Sequence, residues 1–98
     1  MISMKLVTIV CEAHARKPLT ELLREVGARG WTAFAVEGEG DKGLRLADIP
    51  ETANIQLQVI VRPEVAATLL ERLEKDYFPR YGMIAYASDV QVLRRGKF

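Results

Sequence analysis

Twice within 98 residues the sequence runs through the same succession: an apolar β-branched stretch, an amphipathic helical stripe, and a second strand-like stretch. In the first unit, Lys5 to Cys11 (KLVTIVC) carries apolar side chains on both faces, as an interior strand does. Leu19, Leu22, Leu23 and Val26 then follow helical spacing, with Pro18 in the first turn and Gly27 or Gly30 able to end the helix. Trp31 to Glu37 alternates as a second strand. In the second unit, Ile55 to Val61 sets Ile55, Leu57, Val59 and Val61 on one face and Gln56, Gln58 and Ile60 on the other. Pro63 opens a helix in which Val65, Leu69 and Leu73 stand four apart, and Pro79 and Gly82 close it. Met83 to Ala87 and Asp89 to Leu93 read as a fourth strand running into a short fifth, with a bend or bulge at Ser88 and Asp89.

This order predicts an α+β fold: a ferredoxin-like βαββαβ domain with a four-stranded antiparallel sheet, two helices on one face and a short fifth strand. A chain of this length holds one core, so residues 1–98 form a single domain. The face without helices would carry Thr8, Gln56 or Gln58 and apolar neighbours, a mixed surface that suits contact between copies of the chain.

The charge balance narrows the partners. Lys and Arg total 14 against 13 for Asp and Glu, a net charge of +1, so no bulk field draws nucleic acid or an anionic membrane. No window has the roughly 18 apolar residues of a membrane span, and the start lacks the pattern of a signal peptide, so direct membrane insertion is not expected and the expected location is cytoplasmic. Cys11, the only cysteine, has no intrachain partner for a disulfide.

Between the units lies the one segment with loop chemistry, about residues 38–53, which is expected to be flexible. Gly38, Gly40 and Gly43 spell G-x-G-x-x-G after a strand, but the dinucleotide fingerprint needs a crossover helix, and Pro50 and the short distance to the next strand leave no room for one. What survives is local: glycines let backbone N–H groups approach an anion, and Lys42 and Arg45 add two cations, a combination suited to phosphate. The same composition also serves a solvated loop, and spacing does not separate the two. Arg94, Arg95 and Lys97 form a second basic cluster, a solvated tail or a further anion contact.

Catalytic equipment is missing. Cys11 and His14 stand three apart, but no second Cys or His completes a metal set, and neither has an orienting carboxylate at triad spacing. A buried thiol beside a surface histidine is the reading taken. Glu12, Glu37, Glu39 and Asp41 lie near strand ends, as surface carboxylates at turns commonly do. The chain is read as a non-enzyme with no metal and no obligatory cofactor.

A resemblance adds to this. Tyr77 to Tyr86 (YFPRYGMIAY), followed by Asp89 to Leu93 (DVQVL), resembles the closing segment of P-II-like signalling proteins, in particular the branch associated with bicarbonate transporters and carboxysomes. The start KLVTIV, the helix end VGARGWT and the loop GEGDKGLR resemble that branch's first strand, helix end and T-loop base, so the likeness spans nearly the whole chain. It implies a homotrimer with packed sheet faces and adenine nucleotide in clefts between subunits. Nucleotide-binding residues would then be Gly38, Gly40 and Asp41 at the loop base, Lys42 and Arg45 on phosphate, and the backbone of Gly82 and Met83 at the adenine. Arg94 and Arg95 would be anion contacts.

Compared with nitrogen-regulatory P-II proteins, the T-loop is shorter, has no tyrosine between Gly38 and Asn54, and is not accompanied by a glycine-rich B-loop before the fourth strand. Tyrosyl modification and tight ATP–magnesium chelation are therefore not expected, and AMP, ADP or cyclic AMP is the expected ligand, with bicarbonate as a second. The function implied is a nucleotide-responsive regulator of a partner such as a bicarbonate transporter or carbon-concentrating component. The alternative is a ligand-free trimeric assembly module of the same fold.

Overall fold

The structure is a computed structural model and describes residues 1–40, 43–45 and 54–93. A four-stranded antiparallel sheet is built from β1 (Ile2–Glu12), β2 (Thr32–Val36), β5 (Asn54–Val61) and β6 (Met83–Val92), in the spatial order β2-β5-β1-β6. A separate hairpin, β3 (Gly38–Gly40) with β4 (Gly43–Arg45), follows β2. Two helices, α1 (Arg16–Glu25) and α2 (Pro63–Arg72), connect the strands. Among the described residues no helix is long and apolar enough to cross a membrane.

β1 and β5 are the two interior strands, and β1 carries apolar residues on both of its faces. Val7, Ile9 and Cys11 point into the core beside their β5 partners Val59, Leu57 and Ile55, all nearly inaccessible. Leu19, Leu22 and Leu23 of α1 and Ala66 and Leu69 of α2 close that core from one side. Alternation sends Leu6, Thr8 and Val10 to the other face, opposite Ile60, Gln58 and Gln56, as expected of the uncovered face. There Phe34, Ile84 and Tyr86 stay markedly exposed.

The helix ends follow from local chemistry. Pro63 occupies the first position of α2, where its missing N–H costs nothing. Gly27 follows α1 at φ 96°, a left-handed conformation that only glycine adopts without strain, and the Ala28 N–H bonds back to the Leu23 carbonyl at 2.9 Å. Arg72 joins the helices, its Nη2 3.3 Å from Glu25 and its Nε 3.0 Å from Asp76.

Two expectations change. The proposed short fifth strand does not exist as a separate element, because β6 runs unbroken and pairs residue for residue with β1, with Leu6 opposite Ser88 and Lys5 opposite Asp89. β6 is an edge strand, so polar residues need no bend there: Asp89 is exposed and its carboxylate pairs with the Lys5 ammonium across the ladder. The second helix also departs from plain α geometry. Residues Leu73–Tyr77 form a π turn, in which the Phe78 N–H reaches the Leu73 carbonyl five residues back at 2.9 Å.

Candidate functional site

One row of paired residues, Met83, Cys11, Ile55 and Ala35, crosses the whole sheet near one end. In the next row outward, Glu12 faces Asn54 and Asn54 faces Val36. Beyond that row the hairpin begins at Gly38, and Gly82 precedes β6. The topology thus brings two groups of predicted residues, Gly38 and Gly40 with Arg45, and Gly82 with Met83, to the same end of the sheet. They occupy opposite edges, three strand spacings or roughly 14 Å apart.

The base of the 38–53 segment is a paired hairpin, and residues 41–42 and 46–53 of the expected loop lie outside the described residues. Gly38 pairs with Arg45, Glu39 with Leu44 and Gly40 with Gly43. Asp41 and Lys42 stand between these strands in sequence and lie outside the described residues, as do Arg94 and Arg95. The last residue of β6, Val92, pairs with Ile2 at the far end of the sheet. At about 3.3 Å per residue, that is roughly 30 Å from Met83.

At the β6 edge the structure reveals contacts that sequence reasoning missed. The Gly82 N–H donates to Glu12 Oε1 at 3.0 Å. Glu12 Oε2 lies 3.7 Å from His14 Nδ1 in the short 3-10 turn Ala13–Ala15. The His14 ring packs against Tyr81 with centroids 5.5 Å apart, Tyr81 stacks on Tyr77 at 6.0 Å, and the Tyr77 hydroxyl donates to the Pro18 carbonyl at 3.2 Å. Burial raises the pKa of that Tyr77 hydroxyl. The chain of contacts ties the turn before β6 to the ends of β1 and α1.

Cys11 is buried and His14 exposed, as expected. Burial, together with the neighbouring Glu12 carboxylate, pushes the Cys11 thiol up to about 11, so it is protonated and unreactive at neutral pH.

A cavity of about 390 Å³ lies beside the two tyrosines, lined by Pro18, Arg72, Tyr77, Arg80 and Tyr81 among others. Another of about 350 Å³ is lined by Leu6, Trp31, Thr32, Gln58 and Ile60 among others. Neither has Gly38, Gly82 or Met83 in its lining.

Fold and geometry define the class: a ferredoxin-like domain with one bare sheet face and a glycine hairpin level with a second glycine turn. The family follows from comparison. The model of the family described as nitrogen regulatory protein P-II matches residues 4–97, and the chain belongs to that family. It is similar to a PII-like signaling protein from Thermus thermophilus, with 44% identity, a TM-score of 0.82, and 94% of this chain and 91% of that one covered. It is also similar to CPII, a nitrogen regulatory PII-like protein from Thiomonas intermedia, in a structure bound to ADP, AMP and bicarbonate. There the identity is 26% and the TM-score 0.91, covering 99% of this chain and 94% of that one. A DUF3240 family protein from Shewanella baltica, at 13% identity and a TM-score of 0.65, shares the fold, with 98% of this chain and 97% of that one covered.

Proposed function

We propose that this P-II family protein is a cytoplasmic homotrimeric sensor that binds AMP or ADP between its subunits, responds to bicarbonate, and through its loop regulates a partner such as a bicarbonate transporter or carbon-concentrating component. The observation that carries the reading is the placement of the Gly38–Arg45 hairpin and the Gly82–Met83 turn at the same end of the sheet, on opposite edges, with one sheet face left without helices. Lys42 and Arg45 hold the phosphates, and the Gly82–Met83 backbone meets the base. A second copy against the bare face supplies the remaining wall, and it is the source of Arg94 and Arg95, which follow the far end of β6 in their own chain. The ligands ADP, AMP and bicarbonate in CPII support the same assignment. Nucleotide binding acts on the partner by shifting the population of loop conformations presented to it.

The test is calorimetric titration of AMP, ADP and cyclic AMP, each with and without bicarbonate. Micromolar or tighter binding of an adenine nucleotide is expected. Arg45→Ala should weaken it about ten- to a hundredfold, the value of one charge-assisted hydrogen bond, with the melting curve unchanged. Lys42→Ala should weaken it less, since lysine offers a point charge where arginine offers a fork. A parent protein that binds none of these ligands leaves the ligand-free assembly module as the function.

A further inference from the structure

The end of α2 and the corner that follows it build a cavity for which the nucleotide reading has no use. After the π turn Leu73–Tyr77, the Arg80 and Tyr81 N–H groups both bond to the Tyr77 carbonyl at 2.9 Å, so backbone hydrogen bonds fix where these residues stand. On the α1 side, the Pro18 carbonyl accepts the Tyr77 hydroxyl at 3.2 Å. The space enclosed is about 390 Å³, within the roughly 300–1,000 Å³ of small-molecule sites. Because Pro18 belongs to α1 and Arg72 to α2, the cavity opens among the helices and not on the bare sheet face.

Its lining divides into a flat apolar part and a positive part. The Tyr77 and Tyr81 rings lie 6.0 Å apart at 30°, His14 backs Tyr81 at 5.5 Å, and Pro18 and Pro79 complete the apolar lining. Of the charges, Arg72 and Asp76 satisfy each other at 3.0 Å, and Arg72 also holds Glu25. Lys75 and Arg80 have no ion-pair partner among the described residues, so the lining carries two uncompensated cations. We propose that this cavity is a second ligand site, for a small organic anion with a flat apolar body, an aromatic carboxylate or phosphate ester. The tyrosine rings cover the flat body, while Lys75 and Arg80 hold the charge. A neutral ring compound leaves the cations unanswered, and a bare inorganic anion leaves the rings uncovered.

The experiment is titration of phenyl phosphate into the full chain, followed by amide shifts in nuclear magnetic resonance, with inorganic phosphate and phenol as partial probes. Phenyl phosphate at up to about 10 mM should move the Tyr77, Arg80 and Tyr81 amides saturably, and neither partial probe should approach its affinity. Arg80→Ala should weaken binding about tenfold and Lys75→Ala somewhat less, with melting curves unchanged because both residues are exposed. No movement at those amides, equal affinity for inorganic phosphate or for phenol, or parental affinity in both variants overturns the site. The titration is then repeated with ADP at saturation. Competition makes the cavity part of the nucleotide site and overturns its independence, with the nucleotide reading intact. A protein that binds phenyl phosphate here but no nucleotide keeps this site and loses the sensor.

Discussion

Ile84→Asp should turn the proposed trimer into a folded monomer. Ile84 sits on β6 opposite Val10, on the face without helices, and 60% of its surface is exposed in the single chain. Full burial of an isoleucine side chain is worth roughly 1.5–3 kcal/mol, so about 1–2 kcal/mol remains to be gained from assembly in each copy. The aspartate forfeits that and places an unpaired carboxylate in the contact, at a further cost of about 3 kcal/mol. Symmetry applies both penalties three times, for a total on the order of 10 kcal/mol per trimer. A penalty of that size lowers the association constant of the trimer by about seven orders of magnitude. The core is untouched, because Ile84 points away from Leu69 and its neighbours, so the far-ultraviolet circular dichroism should match the parent. Light scattering on a size-exclusion column reads the mass directly, with Ile84→Val as a control that stays assembled. A trimeric mass for Ile84→Asp, or a monomeric mass for the parent, would refute the idea that this face is an interface.

Other consequences are equally direct. Gly27→Ala meets open space, with no other atom within 4 Å of the added carbon, but it must hold φ at 96°. It should cost about 1 kcal/mol, or roughly 4–8 °C in melting temperature, and an unchanged melting curve would contradict the left-handed helix end. The Cys11 thiol has a folded pKa of about 11 against an ordinary 9.0, so the fold favours the protonated form. The stability this confers is complete below pH 9 and is lost as pH rises through 11, by on the order of 2–3 kcal/mol. Denaturant unfolding of the parent and Cys11→Ala should diverge over that window, and parallel pH profiles would count against it.

Much of the fold could be read in advance because it rests on periodicity. Leu19, Leu22 and Leu23 on one helical stripe, and Leu57, Val59 and Val61 on one face of a strand, are patterns that local spacing dictates. Strand lengths were less legible: β1 extends from Ile2 to Glu12 because β6 pairs along it, a fact about a partner some eighty residues away. Ser88 and Asp89 resembled a break because polarity on an edge strand and polarity at a bend look alike in one dimension. The π turn was hidden because Leu73 and Tyr77 keep the four-residue spacing of an α-helix. For the site, glycines and cations flagged the hairpin, but Glu12 passed for an ordinary surface carboxylate. Its partner is a backbone N–H seventy residues on, and a backbone group leaves no mark in a sequence.

The widened turn at Leu73–Tyr77 also bears on how such a chain can vary in length. A π turn holds one residue more than an α turn, so loss of a single residue there closes the ring to ordinary helix and leaves both flanks on their original faces. The same loss within Pro63–Arg72 would rotate everything that follows by about 100° and draw it back by about 1.5 Å. Tyr77 would leave the Pro18 carbonyl, and the Gly82 amide would come off Glu12. Single-residue gaps among related sequences should therefore gather at 73–77 and avoid the ten residues before it.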